Sequence, residues 1–274
     1  YFTKTEQGKQ YPVYLRSKTR DGKSAEVLLD QNEMAKGYKF YAIAAFEPSD
    51  DGNLLAFSSD TTGYRQYTLR VKDLKTGKML SEKIERVTSS EWSPDGKFLF
   101  YGQEDPISKR SDKIFRHTVG SSEPDVLVYE EKNVLFESSI SRSRDQKMFF
   151  INSDAATMNE FRYLSADDPS GEWKLIAPRR DAHEYWATFD NGEFYILTNK
   201  DAENFKVVRA PLGDPTEKNW TDFIPHNPAI KVENISFFKD YAAVSELENG
   251  LEYIKVMDRK TRRASVRIET PESV

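Results

Sequence analysis

Pro48-Ser49-Asp50-Asp51-Gly52-Asn53-Leu54-Leu55-Ala56-Phe57-Ser58 is a turn followed by an apolar run. Gly52 reaches positive φ without a Cβ clash, and Pro48 pre-sets φ ahead of it, so Asp-Gly reads as a tight hairpin turn. The run after it does not alternate polar with apolar, which suits a strand buried on both faces. The phrase returns as Ser93-Pro94-Asp95-Gly96-Lys97-Phe98-Leu99-Phe100-Tyr101 and, more loosely, as Ser143-Arg144-Asp145-Gln146-Lys147-Met148-Phe149-Phe150-Ile151. Asp190-Asn191-Gly192-Glu193-Phe194-Tyr195-Ile196-Leu197 and Phe238-Lys239-Asp240-Tyr241-Ala242-Ala243-Val244-Ser245 are further copies. Between the turn positions 52, 96, 146, 192 and 240 the steps are about 44, 50, 46 and 48 residues, the period of a propeller blade.

Around each copy the same neighbours recur. An inner strand precedes it, such as Tyr41–Phe46 or Ser89–Trp92. An alternating strand follows, such as Gln66–Lys72, Ile114–His117 or Tyr253–Met257, and then a turn and an outer strand, such as Val126–Tyr129, Trp173–Ile176, Trp220–Ile224 or Val266–Ile268. Four strands per period and no long amphipathic helix predict an all-β fold, a β-propeller of four-stranded antiparallel blades. The expected boundaries are a partial blade at 1–33 and blades at about 34–84, 85–131, 132–179, 180–227 and 228–274, forming a single incomplete propeller domain of about five and a half blades. Asp30–Gly37 carries the one helical signal, with Asp30 as cap and Gly37 as stop, and is expected to be a short connector. The opening Tyr1–Glu6 reads as the middle of a strand, and the chain is expected to be a segment of a longer one.

Composition narrows the function. Of the 274 residues, 31% are charged and 38% hydrophobic, as in globular proteins, and the net charge of −5 argues against nucleic-acid or anionic-membrane binding. Absence of cysteine removes disulfides, thiolate metal sites and cysteine nucleophiles. It also fits a reducing compartment, so cytoplasmic residence is expected. No apolar run approaches the ~20 residues that span a bilayer.

Several stretches resemble the oligopeptidase B branch of the prolyl oligopeptidase family of serine peptidases. They are Gly8–Tyr14, Val27–Ala35, Asp60–Gly77, Val128–Lys132, Pro178–Tyr185 and Asp258–Arg262, and they run nearly end to end. The resemblance implies a seven-bladed propeller joined to an α/β-hydrolase domain that carries a Ser-Asp-His triad. It implies cleavage of short peptides after Lys or Arg, with the propeller as a lid restricting access. The hydrolase domain would lie outside this chain, as a partner on the same parent.

The residues themselves carry no catalytic constellation. A nucleophile elbow needs Gly-x-Ser-x-Gly, and the nearest string, Gly120-Ser121-Ser122-Glu123-Pro124, lacks the second Gly and precedes a strand. His117, His183 and His226 lie in different repeats and form no metal motif, so they read as surface or loop histidines. No cofactor is expected. The basic runs Lys109–Lys113 and Arg259–Arg263 read as solvated turns. Arg179-Arg180, just ahead of an inner strand, is the most suggestive basic pair, although a structural role comes first there too. Glu91, Glu184 and Glu233, placed on inner strands, are candidates for steering basic peptides toward the hydrolase domain. The rival reading is a free-standing propeller used as a protein-binding scaffold.

Overall fold

A computed structural model describes residues 1–261 and 264–269. The last residues of the chain, 270–274, and Arg262 and Arg263 of the basic turn lie outside the described residues. The chain divides into two compact units, Tyr1–Glu130 and Glu131–Val274.

The first unit begins with a three-stranded sheet of β1 (Phe2–Lys4), β2 (Val13–Arg16) and β3 (Glu26–Asp30). A one-turn helix, α1 (Gln31–Met34), follows, and the Asp30 side chain accepts hydrogen bonds from the Asn32 and Glu33 amides as its cap. Two four-stranded sheets complete the unit. One is β4 (Ala42–Pro48), β5 (Leu54–Asp60), β6 (Thr68–Asp73) and β7 (Met79–Glu85); the other is β8 (Val87–Trp92), β9 (Phe98–Glu104), β10 (Ser111–Thr118) and β11 (Val126–Glu130).

The second unit holds three more. They are β12 (Glu137–Arg142), β13 (Met148–Asp154), β14 (Asn159–Ser165) and β15 (Lys174–Leu175); β16 (Tyr185–Asp190), β17 (Glu193–Thr198), β18 (Lys206–Pro211) and, after a 3₁₀ turn at Glu217–Asn219, β19 (Thr221–Ile224); and β20 (Ile230–Phe237), β21 (Tyr241–Glu248), β22 (Leu251–Asp258) and β23 (Ala264–Glu269). Each four-stranded sheet is an antiparallel meander whose order in space is its order in sequence. The fold is that of β-propeller blades, as the repeat predicts.

Burial explains the unbroken apolar runs. In β5, Leu55 and Phe57 face the first sheet and join Leu28 and Leu29, whereas Ala56 faces the other way and joins Leu69, Val87, Trp92 and Leu99. In β17, Phe194 and Ile196 pack with Phe150, Tyr163 and Tyr185, and Tyr195 and Leu197 pack with Val232, Phe237 and Val244. A strand between two sheets has no solvent face, so the period-2 pattern vanishes from it. Polar bonds fix the stacking. The Trp92 indole donates to the Glu47 carbonyl at 2.7 Å. The Tyr185 hydroxyl donates to the Ala177 carbonyl at 2.7 Å and accepts from the Phe161 amide at 2.8 Å.

The recurrent turn is built on its serine. Ser49, Ser93 and Ser143 are all buried. Each hydroxyl donates to the Asp two residues on and accepts from an amide five residues on, at Leu54, Phe98 and Met148. The residue three beyond each serine sits at φ near +65°: Gly52, Gly96 and, in the loose third copy, Gln146 at +63°. The fourth copy uses a two-residue turn, Asn191-Gly192, with both residues at positive φ.

Candidate functional site

Buried charge in the second unit centres on Arg179. Its guanidinium meets Glu131 at 2.6 Å and Glu160 at 3.0 Å, and lies 3.9 Å over the Phe136 ring. Both carboxylates are nearly inaccessible. Glu131 also accepts from the Ser153 hydroxyl and the Asn133 amide, and Arg162 reaches Glu160 at 3.1 Å. Burial works against the charge of Arg179, but the bonds from Glu160 and Glu131 outweigh it and hold the guanidinium above its ordinary pKa. Arg180 pairs with Glu217 at 2.7 Å. Both members of the Arg179-Arg180 pair therefore brace the protein, in line with the structural role given precedence from sequence.

Two of the three histidines correct the surface reading. His183 is buried; its ring stacks on Tyr185 at 5.2 Å, and its Nε2 lies 3.0 Å from the Thr198 hydroxyl. Burial, helped by the nearby charges of Arg180 and Lys200, pushes it down to about 4, so it is neutral at pH 7. Thr198 is itself fully buried, out of reach of any substrate. His117 is also buried, on β10, with Nδ1 2.8 Å from Asp125 and Nε2 3.7 Å from Glu82. The Tyr101 hydroxyl donates to the same Asp125 carboxylate at 2.7 Å, and burial, followed by that bond, raises its pKa. Only His226 stays in a loop, half-buried, where its Nε2 accepts from the Asn204 amide. The reason is that a stacked blade has two inner faces, and a ring on either one is enclosed.

The three proposed steering acids fall on three different sheets. Glu91 is half-buried on β8, the edge strand of its sheet. Glu184 lies one residue ahead of β16, where its amide donates to the Asn199 side chain at 3.0 Å. Glu233 is at the irregularity in β20 and pairs with Lys231 at 3.4 Å, which offsets its field. Among the described residues no group of His, Asp and Glu is arranged to hold a metal ion.

Comparison with known proteins adds the family. Residues 1–274 match the profile of the prolyl oligopeptidase N-terminal β-propeller domain. The chain belongs to this family. Similar proteins include dipeptidyl aminopeptidase BI of Pseudoxanthomonas mexicana, 36% identical over 275 residues that take in 94% of this chain and 38% of that protein. Protease 2 of Moraxella lacunata is 31% identical over 266 residues, again 94% of this chain and 38% of the other. The structure of oligopeptidase B from Leishmania major superposes with a TM-score of 0.89 at 26% identity, over 98% of this chain and 40% of that one. This prolyl oligopeptidase propeller thus spans about two fifths of the length of the relatives it matches.

Sequence reasoning missed the buried polar clusters of the propeller. The acids of the Arg179 cluster stand 48 and 19 residues from it, and those of the His117 cluster 8 and 35 residues from it, so no short motif marks either group. The serine of the recurrent turn, by contrast, was on view as Ser-x-Asp in three copies.

Proposed function

We propose that this chain is the substrate-gating propeller of a serine oligopeptidase, with an α/β-hydrolase domain supplied by the same parent chain and short peptides cleaved after Lys or Arg. The observation that carries the reading is the match of the whole chain to the propeller of a peptidase family. The placement of the histidines supports it. His183 and His117 are enclosed, and neither presents a base to an accessible nucleophile. Residence in the cytoplasm is part of the same proposal, from the lack of cysteine.

A second reading concerns the reaction of the parent. The relative at 36% identity is named a dipeptidyl aminopeptidase, which favours release of dipeptides from a free N-terminus. The full-length parent separates the two readings. Given an N-blocked Lys or Arg substrate and an unblocked dipeptidyl substrate, an oligopeptidase with basic preference turns over the blocked one and loses the activity to a serine-directed reagent. Turnover of the unblocked substrate alone supports the dipeptidyl reading. The segment by itself should be inactive on both, and turnover by it would overturn the assignment of catalysis to another domain. Steering by Glu91, Glu184 and Glu233 predicts that their joint charge reversal lowers kcat/KM more at low salt than at high. An unchanged value at low salt removes that role.

A further inference from the structure

Arginine in this chain is usually matched to acid. Arg16 meets Glu26, Arg110 meets Asp112, Arg209 meets Glu193 and Arg267 meets Glu248, besides the pairs around Arg179. Arg70 and Arg86 are among the arginines that depart from that habit. Among the described residues neither guanidinium makes a side-chain hydrogen bond or an ion pair, and the Nε of Arg86 is buried with no partner at all. Both nevertheless line one cavity of about 560 Å³ in the first unit. A chain with more acids than bases has placed two unmatched guanidiniums in a single hollow.

The hollow has a definite build. One wall comes from α1 and the segment after it, through Met34, Tyr38 and Tyr41. The other is the face of the β4–β7 sheet that carries Phe57 and Arg70, which stand opposite one another across β5 and β6. Phe57 is fully buried, Tyr38 is half exposed, and the Tyr38 and Tyr41 rings lie 5.8 Å apart. Two acids stand near, and both have partners; Glu85 lines the hollow itself, as does the Lys83 it pairs with. Glu85 pairs with Lys83 at 3.3 Å. Asp60 is turned into the following loop, where it accepts from the Thr62 amide, the Thr62 hydroxyl and the Arg65 amide. Burial alone would raise the Asp60 pKa, but these bonds lower it, so the carboxylate is satisfied within the loop. The same three bonds order the loop that brings Thr61 and Thr62 to the cavity wall.

We propose that this cavity binds the terminal carboxylate of a peptide whose last side chain is apolar or aromatic. A planar guanidinium pairs with a carboxylate through two parallel hydrogen bonds, and the guanidiniums of Arg70 and Arg86 line the cavity with no ion pair to another described residue. The aromatic and methionine wall takes the side chain beside it, and the volume suits one or two residues rather than a bare ion. This site is independent of the parent's reaction.

The test uses the full chain after treatment with a serine-directed reagent, so that a hydrolase site does not contribute turnover. Calorimetric titration compares N-acetyl-phenylalanine with N-acetyl-phenylalaninamide. The acid should bind at least roughly tenfold tighter than the amide, since the amide offers the fork no charged acceptor. Arg70→Gln and Arg86→Gln should each weaken the acid by roughly tenfold, and Lys97→Gln, whose ammonium is exposed, paired with Asp95 and outside the cavity, by less than about threefold. Arg86→Lys should not restore binding, because a point charge does not reproduce the fork. Each variant's unfolding midpoint is measured alongside, and if one Arg variant fails to fold the other decides. Equal affinity for acid and amide overturns the proposal, as does full binding in a folded Arg70→Gln or Arg86→Gln protein. Displacement of the acid by inorganic phosphate at equal concentration also overturns it, by marking a general anion patch.

Discussion

The Arg179 cluster of the second unit and the His117 cluster of the first bury the same chemistry in opposite ways. Around Arg179, each of two enclosed carboxylates meets a guanidinium within 3.0 Å. Around His117, Glu82 accepts the Gly120 amide at 2.7 Å with one oxygen, while its other oxygen and the Nε2 of His117 are buried without hydrogen bonds. The difference lies in how many donors each side chain brings. The guanidinium of Arg179 spans two carboxylates at once, whereas the imidazole of His117 has two ring nitrogens and bonds Asp125 through one of them. Both carboxylates of the Arg179 cluster are held by a guanidinium, which makes a brace, whereas the His117 cluster leaves one carboxylate oxygen unbonded and is expected to tolerate change.

Truncation of the brace should have the largest effect. Arg179→Ala takes a guanidinium from two enclosed carboxylates, leaving Glu160 with Arg162 and Glu131 with its neutral donors, and strips the cation from the Phe136 ring, so unfolding in urea should show a loss of about 3–5 kcal/mol. A loss below about 1 kcal/mol would erase the contrast between the clusters. Next comes pH. In the unfolded chain the imidazole of His183 titrates near 6.5, and in the folded protein it is depressed to about 4. Between those values the unfolded chain binds more protons, so this contribution is complete above about pH 6.5 and is lost as pH falls toward 4. Unfolding free energies from urea titrations at pH 7 and pH 4.5 should differ by about 2 kcal/mol more in the unsubstituted chain than in His183→Phe, which keeps the stack on Tyr185 without the titration.

Smaller again is a neutral bond. Ser93→Ala removes the hydroxyl that accepts from the Phe98 amide, and should lower stability by about 1–2 kcal/mol, which sets the scale for a single buried partner lost. Smallest is Glu82→Gln. The amide oxygen keeps the Gly120 bond and the NH₂ replaces an oxygen that has no hydrogen-bond partner, so thermal unfolding should change by no more than about 0.5 kcal/mol in either direction. A large loss there would show that Glu82 is needed as a charge and that the two clusters are alike.

Much of the architecture was legible because blades repeat. Each copy of the turn phrase stands at the β4–β5, β8–β9, β12–β13, β16–β17 or β20–β21 hairpin, and even the third copy, which lacks glycine, keeps the left-handed backbone at Gln146. The weakest outer strand was overstated: Trp173–Ile176 was expected and only Lys174–Leu175 pairs, since an outermost strand has one neighbour to hold it. Phe2–Lys4 pairs with Val13–Leu15, in keeping with the reading of Tyr1–Glu6 as part of a strand. The side-chain clusters were not legible. His117 and His183 resembled loop residues because each is followed or preceded by polar neighbours, and their enclosure depends on which face of a sheet they occupy.

The amino-acid order alone determined the strands, the turns between them and the count of tandem copies, because those depend on φ preferences and on apolar runs within a few residues of each other. Which polar groups share an interior, that Arg179 is answered by two acids and Arg70 and Arg86 by none, was decided only when separate sheets came face to face. Electrostatic partners are chosen by distance in space, and in a meander of stacked sheets that distance has no fixed relation to separation along the chain.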